Sequence, residues 1–309
     1  MPAPLLPSGQ QVELRHGDQR AVVVEVGGGL RTYTVAGEDV LDGYAASEMV
    51  TSGRGQILAP WPNRLADGRY EFGGHTYQLD LSEPAARTAI HGLVRFANWT
   101  VAEHGADHAV MAYRLHPHPG YPFLLDLRAG YHLGAEGLAV TLTLTNRGNA
   151  PAPVGVGAHP YVRLGGGSID ELELRIPADS WYRTDDRGIP TERLPVPGTP
   201  YDFRGARPIG DTKLDTAFTG LLVDGDGRAV VELAEPGGAR VVRVWLGPGV
   251  RYLMVFTGDT LSDSARRRQG LAVEPMSCAP NALQSGDGVA VLAPGQTYEA
   301  SWGISTAGF

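Results

Sequence analysis

Apolar residues alternate with polar ones, or form short runs, along most of the chain. Four of the clearest such segments are residues 21–26, 138–144, 172–176 and 241–245. Short runs rich in valine, threonine and aromatic residues, bounded by turn-forming residues, are typical of β-strands. Helical periodicity is nearly absent, and only residues 83–87 predict one or two turns of helix. Many short strands separated by frequent turns predict an all-β fold, a sandwich or a barrel.

Tight turns join several of these segments into hairpins. The pair Gly73-Gly74 separates residues 70–72 from residues 75–79, and glycine tolerates the positive φ that a two-residue turn requires. Residues 235–238 separate two further strand-like segments and predict a second hairpin.

The chain has 309 residues, 42% of them hydrophobic, which is enough to bury a large core. The segment 185–213, which contains several prolines, predicts a loop between strands rather than a linker between domains. No internal repeat or low-complexity tract is evident. We therefore expect a single domain over residues 1–309, because β-sandwiches often exceed about 200 residues as one unit.

The formal net charge is −8 and the sequence pI is about 5.6. This balance argues against nucleic acid as a partner, since a phosphate-binding surface needs clustered positive charge. One cysteine, Cys278, excludes an intrachain disulfide, and a buried, inert thiol is its expected state. The first seven residues do not resemble a signal peptide, and no apolar run is long enough to span a membrane. We expect a cytoplasmic monomer or homodimer that acts on a small neutral molecule.

Two segments far apart in sequence each place an ionisable residue beside a proline. They are Gly157-Ala158-His159-Pro160-Tyr161 and Glu274-Pro275-Met276-Ser277. Glu274 follows an apolar, strand-like run, so burial should raise its pKa and make it a better base. An unperturbed histidine has a pKa near 6.5 and can act as an acid at neutral pH. A histidine and a carboxylate can divide a proton-transfer reaction between them.

Three further polar residues are candidates to hold hydroxyl groups. Arg64 ends the stiff segment Trp61-Pro62-Asn63-Arg64, His91 precedes a glycine, and Asp215 follows Leu214. A guanidinium offers five fixed donors that suit sugar oxygens or carboxylates. Taken singly, each of these residues is as compatible with a structural role as with a functional one.

Together these segments resemble the aldose 1-epimerase (mutarotase) family. The resemblance rests on five segments that occur in the family's order. They are Pro60-Trp61-Pro62-Asn63-Arg64-Leu65-Ala66-Asp67-Gly68-Arg69-Tyr70, His91-Gly92, Ala158-His159-Pro160-Tyr161, Leu214-Asp215 and Glu274-Pro275-Met276-Ser277. The segment Pro294-Gly295-Gln296 adds a sixth match near the end. The resemblance implies a large antiparallel β-sandwich with a sugar cleft on its concave face.

The resemblance also implies the reaction, the interconversion of the α and β anomers of a free aldose. Glu274 is then the general base at the C1 hydroxyl, and His159 is the general acid at the ring oxygen. The implied substrate-binding residues are Asn63, Arg64, His91, Tyr161 and Asp215, with Asp211 as the runner-up for Asp215. No metal and no other cofactor is expected.

Alternatives remain open at this point. The run Arg266-Arg267-Arg268 raises the possibility of a hexose 6-phosphate or another anionic sugar as substrate. A non-catalytic sugar-binding protein on the same fold is a second alternative. A glycoside hydrolase is a third, with Asp215 and Glu274 as its carboxylate pair. Met254 stands where galactose mutarotases are expected to carry a glutamine, so the preferred aldose is not implied.

Overall fold

The structure is a computed structural model that describes residues 5–309 and consists almost entirely of β-strands. The first fourteen strands are β1 Gln11–His16, β2 Gln19–Val24, β3 Leu30–Val35, β4 Glu38–Asp39, β5 Ile57–Leu58, β6 Arg64–Ala66, β7 Arg69–Phe72, β8 His75–Gln78, β9 Thr88–Ile90, β10 Thr100–His104, β11 His108–Leu115, β12 Leu125–Gly134, β13 Gly137–Asn146 and β14 Ala152–Val154. The remaining strands are β15 Gly157–Ala158, β16 Tyr161–Val162, β17 Glu173–Arg175, β18 Ala178–Thr184, β19 Pro190–Pro195, β20 Arg207–Pro208, β21 Asp215–Leu221, β22 Ala229–Ala234, β23 Val241–Leu246, β24 Tyr252–Phe256, β25 Leu271–Met276, β26 Ala290–Leu292 and β27 Thr297–Ala307. The all-β prediction is confirmed.

Two large antiparallel sheets dominate the architecture. One has nine strands in the order β10-β11-β12-β13-β27-β23-β22-β17-β20. The other has eight strands in the order β19-β18-β21-β24-β25-β15-β5, with β16 also paired to β25. Smaller sheets, the largest being β1-β2-β3-β4, complete the molecule. The predicted antiparallel β-sandwich is therefore confirmed.

The burial pattern of the strands follows from their positions in these sheets. Buried and more accessible residues alternate along β12 and β13, which is the signature of a sheet with one face in the core. All six residues of β25 are buried, so both faces of this strand are covered. A carboxylate placed on β25 is consequently removed from bulk water.

Both predicted hairpins are present in the structure. The strands β7 and β8 pair around Gly73 and Gly74, which both have positive φ, at 58° and 78°. The strands β22 and β23 pair around the turn at 235–238. Glycine pairs thus marked hairpin turns correctly where the flanking segments alternate between apolar and polar residues.

Two local predictions were wrong. Residues 84–87 form a turn that closes a bridge between Glu83 and Thr88, and not a helix. The α-helix of the structure is Ala282–Ser285, and two 3-10 turns occur at Ile169–Glu171 and Ser264–Arg266. The segment 185–213, predicted as a loop, contains β19 and β20. Its prolines misled the prediction because β19 is an edge strand, which tolerates residues without a backbone N–H.

Among residues 5–309, no helix is long and apolar enough to cross a membrane. No signal peptide is expected in the first seven residues. Residues 1–4 of this segment lie outside the described residues. The apolar core is continuous from Val12 near the start to Ile304 near the end.

Candidate active site

A cavity of about 430 Å³ opens over the eight-stranded sheet, and seven predicted site residues line it. They are Asn63, Arg64, His91, His159, Tyr161, Asp215 and Glu274. These residues come from five separate segments of the chain. The structure therefore brings together side chains that the sequence identified one by one.

The register of the sheet places His159 opposite Glu274. Gly157 pairs with Met276, and Tyr161 pairs with Ala272 on the same strand. His159 lies midway between Gly157 and Tyr161, and Glu274 lies midway between Ala272 and Met276. The two residues therefore face each other, although Pro160 interrupts the ladder of hydrogen bonds. The imidazole Nε2 of His159 lies 3.3 Å from Glu274 Oε1, and both side chains are buried.

Burial moves the two pKa values in opposite directions. It raises the pKa of Glu274 well above the usual range, and the nearby Asp215 carboxylate adds to the rise. It lowers the pKa of His159 to about 3, with further lowering by the charges of Arg95 and Arg54. The histidine therefore differs from the unperturbed one expected from sequence. Between the lowered pKa of His159 and the raised pKa of Glu274 the pair holds one proton, which resides on Glu274.

A stack of planar groups supports the imidazole of His159. The Tyr161 ring lies parallel to it, with centroids 5.0 Å apart and planes 13° apart. The Arg54 guanidinium lies over the same tyrosine ring, 4.5 Å from its centroid, and is paired with the buried Asp42 at 3.0 Å. A Cβ on Gly53, which has a φ of 74°, would lie 2.7 Å from the imidazole. Packing thus fixes the orientation of the ring.

Asn63 and His91 face each other, and their contact sets the tautomer of His91. The backbone N–H of Asn63 donates to His91 Nδ1 at 3.1 Å, so the proton of the neutral ring is on Nε2. The pKa of His91 lies well below its usual range, chiefly because of burial, which keeps the ring neutral. Both residues have positive φ, 56° and 63°, a conformation that persists where surrounding structure enforces it. His91 is consequently a fixed hydrogen-bond donor.

His91, His159 and Glu274 come close enough to one another to resemble a metal site. The tautomer of His91 does not fit that role, because Nδ1 accepts a hydrogen bond and Nε2 carries the proton. A metal ligand needs a free nitrogen lone pair. The donor set suits a hydrogen-bonded ligand better than a metal ion.

Arg64 is anchored at the rim of the cavity by Glu83. Its Nε donates to Glu83 Oε2 at 2.9 Å, and Glu83 also accepts from Thr88 Oγ1 at 2.8 Å. Gly188 approaches the guanidinium so closely that a Cβ there would lie 2.7 Å from Arg64 Nη1. The remaining donors of Arg64 are thereby held in one place.

Asp215 begins β21, two strands away from Glu274 in the same sheet. The register pairs Glu274 with Met254 and Asp215 with Phe256, so these four side chains share the face that lines the cavity. Desolvation raises the pKa of Asp215, and the charge of Arg64 lowers it. Asp215 and the runner-up Asp211 are both exposed residues, but only Asp215 lines the cavity.

The three arginines at 266–268 do not line the cavity. Arg266 binds Asp42 at 3.1 Å, Arg267 donates to the Leu261 carbonyl at 2.8 Å, and Arg268 binds Asp259 at 3.0 Å. They hold the loop that contributes Thr260, Leu261 and Ser262 to the cavity wall. The arginine run that pointed to a phosphate site is therefore explained by two structural ion pairs and one hydrogen bond to the backbone.

A family model described as "Aldose 1-epimerase" matches residues 10–305 of the chain. The match spans both large sheets and every segment that lines the cavity. The chain belongs to the aldose 1-epimerase family. The resemblance drawn from its sequence is thus confirmed.

Individual relatives agree with this assignment. Over 298 residues the chain is 35% identical to YihR, an uncharacterised protein of Escherichia coli strain K12, covering 96% of this chain and 93% of that protein. It is 26% identical to galactose mutarotase of Mus musculus over 267 residues, 79% of this chain and 76% of that one. A solved GalM/aldose epimerase homologue from C. elegans superposes with a TM-score of 0.86 at 17% identity, covering 96% of this chain and 98% of its own.

The cavity wall of this family member also contains residues that the sequence did not single out. They are Ser52, Ser82, Glu83, Arg95, Thr260 and Ser262. They come from loops between short strands and share no motif or spacing with the predicted residues. Only the chain topology brings them to the site.

A second cavity, of about 480 Å³, lies on the nine-stranded sheet. Its arginines are engaged with carboxylates: Arg114 and Arg147 both bind Asp126, and Arg128 binds Glu103. None of its lining residues is a histidine. The buried histidine–carboxylate pair thus lines the first cavity and not this one.

The raised pKa of Glu274 predicts that this residue destabilises the fold at neutral pH. The unfolded chain releases the carboxyl proton near pH 4.3 and the folded chain at a higher pH, so stability falls as pH rises between the two values. We expect Glu274→Gln to raise the free energy of unfolding at pH 7 by about 1 kcal/mol or more, the value of one pKa unit. Urea unfolding at pH 7 and pH 4 measures this gain, which should vanish at pH 4. The exposed Glu299→Gln is the control, and a less stable Glu274→Gln protein at pH 7 contradicts the account.

The stack on His159 predicts a shift in the pKa of that histidine when the Tyr161 ring is removed. We expect Tyr161→Leu to admit water and raise the pKa of His159 by about one unit or more, because hydration favours the charged imidazole. Tyr161→Phe keeps the ring and loses only the hydroxyl's bond to the Ser52 carbonyl, so it should leave the pKa low. NMR titration of histidine-labelled protein distinguishes the two. Equal shifts in both variants are inconsistent with a role for the ring.

Proposed function

We propose that the protein is an aldose 1-epimerase that interconverts the α and β anomers of a free aldose. The observation that carries the proposal is the 3.3 Å contact between His159 Nε2 and Glu274 Oε1 inside a cavity large enough for a pyranose. Both atoms are positioned by the same strand register, and each can give or take a proton. The family membership supports the same reaction.

The reaction requires two proton transfers at neighbouring oxygens. In the proposed ring opening, Glu274 accepts the proton of the C1 hydroxyl while His159 donates a proton to the ring oxygen O5. The C1–O5 bond breaks, its electron pair stays on O5, and C1 becomes the aldehyde carbon. Rotation about C1–C2 presents the other face of the aldehyde, and ring closure with the roles reversed gives the other anomer. Each transfer by a positioned group is typically worth about 10²–10⁴ in rate.

Sugar binding has to move the shared proton before ring opening. In the sugar-free cavity the pKa values place this proton on Glu274, whereas the proposed roles need it on His159. A sugar hydroxyl that donates to Glu274 favours its anion, since hydrogen bonds to the charged form lower a carboxyl pKa. Arg64 acts in the same direction. The proton then crosses the 3.3 Å contact to the imidazole.

The remaining polar residues orient the sugar in this proposal. His91 donates from Nε2 to a sugar oxygen, Arg64 donates from the nitrogens not used by Glu83, and Asp215 accepts from hydroxyl groups. Asn63 fixes His91 and, through Oδ1, accepts the Arg64 backbone N–H at 2.8 Å. Tyr161 acts through the imidazole of His159, which it supports from one side.

A non-catalytic sugar-binding protein is the alternative from another functional class. Sugar binding alone does not require a buried histidine–carboxylate pair, which costs stability when its charges are desolvated. The cavity retains this pair beside groups suited to hydroxyl binding. We therefore favour an enzyme, with a monosaccharide as its partner and no cofactor in its reaction. The single cysteine is consistent with our proposal of a cytoplasmic location, as a monomer or homodimer.

Replacing either member of the pair should abolish anomer exchange without abolishing sugar binding. We expect Glu274→Gln and His159→Asn each to lower kcat by at least about 10²-fold, because each removes one proton carrier. NMR exchange spectroscopy on a panel of aldoses measures the rate, and calorimetry measures binding.

The exposed His116→Gln and Glu299→Gln are matched controls outside the cavity and should retain the wild-type rate. Wild-type rates in the Glu274→Gln protein would refute the proposed base. Sugar binding by a wild-type protein that exchanges no aldose would favour the binding-protein alternative.

The shared proton also predicts an unusual pH dependence. Below the pKa of His159, lowered to about 3, the pair holds two protons, and above the raised pKa of Glu274 it holds none. Between these limits it keeps the one proton that the reaction needs, so kcat/KM should show no inflection near pH 6.5 and should fall only near the lowered pKa of His159 or above the raised pKa of Glu274. A pH–rate profile tests this. A loss of activity centred near 6.5, the value of an ordinary histidine, would show that the imidazole titrates independently.

A further inference from the structure

The strand register places one residue of the cavity wall on the far side of Glu274 from His159. Strand β25 pairs on one side with β15 and β16, which flank His159, and on its other side with β24. In the second pairing Met254 is the direct partner of Glu274. Direct partners in an antiparallel pair point to the same face of the sheet. The side chains of His159, Glu274 and Met254 therefore form a row across the sheet, with the carboxyl in the middle.

Met254 is the apolar end of this row. Its side chain lines the cavity and is 5% exposed, and the row continues on the next strand with Ala217, its direct partner. Both residues belong to an apolar cluster whose other members are Tyr182, Tyr252, Met276 and Ala279. The two tyrosine hydroxyls of this cluster both donate to Asp287. Beyond Glu274 the row thus offers C–H groups and a thioether, which is only a weak acceptor.

In the proposed reaction the sugar ring follows the same row. His159 serves the ring oxygen O5 and Glu274 serves the hydroxyl on C1, and C1 lies between O5 and C2 in the pyranose ring. With O5 held on the histidine side, C2 is directed to the opposite side of Glu274, where Met254 lies. The strand order β24-β25-β15 therefore sets which sugar carbon meets Met254.

A C2 hydroxyl directed at Met254 would leave water without gaining an equivalent hydrogen bond. An unpaired polar group in such a place weakens binding by about 5- to 100-fold. A C–H group at the same position needs no partner and buries apolar surface against the thioether. Asp215, which pairs with Phe256 one row along the sheet, is placed to accept from a hydroxyl beyond C2. Met254 therefore distinguishes sugars by the group that they carry at C2.

We propose that Met254 determines specificity at C2, and that the substrate is an aldose that presents a C–H group to this residue. Two kinds of sugar meet the condition: a 2-deoxy aldose, and the one C2 epimer whose hydroxyl points away from Met254. The disfavoured sugar is the other epimer, whose hydroxyl Met254 leaves without a partner. This inference rests on the proposed epimerase function and names the substrate feature that its site selects.

The test compares three sugars that differ only at C2, which are glucose, mannose and 2-deoxyglucose. NMR exchange spectroscopy gives kcat/KM for each with the wild-type protein. Dividing each value by the spontaneous rate of anomer exchange of the same sugar corrects for its intrinsic reactivity. We expect 2-deoxyglucose and one of the two epimers to exceed the other epimer by about 5-fold or more, the effect of one unpaired hydroxyl.

Variants then connect this selection to Met254. Glutamine has a similar length and adds an amide that bonds to hydroxyls, so Met254→Gln should raise the ratio of the disfavoured epimer to 2-deoxyglucose by about 5-fold or more. Met254→Leu stays apolar at a similar volume and should keep the wild-type ratio. Met49→Gln makes the same exchange at a residue that is 65% exposed outside the cavity, and it should change neither the ratio nor the rate. Any effect of the new amide on the pKa of Glu274 acts on all three sugars alike and cancels in the ratio.

Two kinds of outcome overturn the inference. Equal corrected rates for the three sugars, or a slower rate for 2-deoxyglucose than for both epimers, would show that the site does not disfavour a C2 hydroxyl. An unchanged ratio in Met254→Gln, or an equal change in Met254→Leu, would show that another residue selects at C2. In these cases the epimerase function stands, whereas failure to exchange any of the three sugars, or any other aldose, would count against that function itself.

Discussion

The site depends on the pairing of β25 with two short strands, β15 and β16, that are separated by His159 and Pro160. Because of this interruption, His159 is not part of the backbone pairing with β25, but its imidazole lies directly opposite Glu274. Since a one-residue slip turns every side chain to the other face of a sheet, the register has to be right on both sides of the gap. The apolar pattern of β25 and the bond from Val156 N–H to Ser277 Oγ, 2.8 Å long, secure it.

Burial then converts two ordinary titratable groups into one unit. Neither side chain can reach water freely, so the charged form of each is disfavoured, and the two share a single proton. The surrounding groups are arranged around this unit: Tyr161 and Arg54 on the imidazole side, Arg64 and Asp215 on the carboxyl side. Burial of these titratable groups costs stability, which is common at functional sites.

Sequence reasoning found the fold class and singled out seven residues that line one cavity in the structure, since strand patterns and segments such as His159-Pro160-Tyr161 are local. It did not find Arg95 or Glu83, because only the tertiary structure brings these residues to the cavity. It misjudged the protonation of His159, because the pKa of a histidine depends on burial and on charges contributed by distant segments. It also read the prolines at 190 and 195 as loop signals when they stand at the ends of an edge strand. Local rules failed where long-range contacts decide the outcome.

The central claim is that Glu274 holds the shared proton in the sugar-free protein. Carbon-13 NMR of protein labelled at glutamate carboxyl groups measures this directly, with the Glu274→Gln variant identifying the signal. The account predicts that the Glu274 carboxyl ionises at a pH well above the ordinary glutamate value. A signal that is ionised at pH 7, with a transition near the ordinary glutamate value of about 4.3, would contradict it.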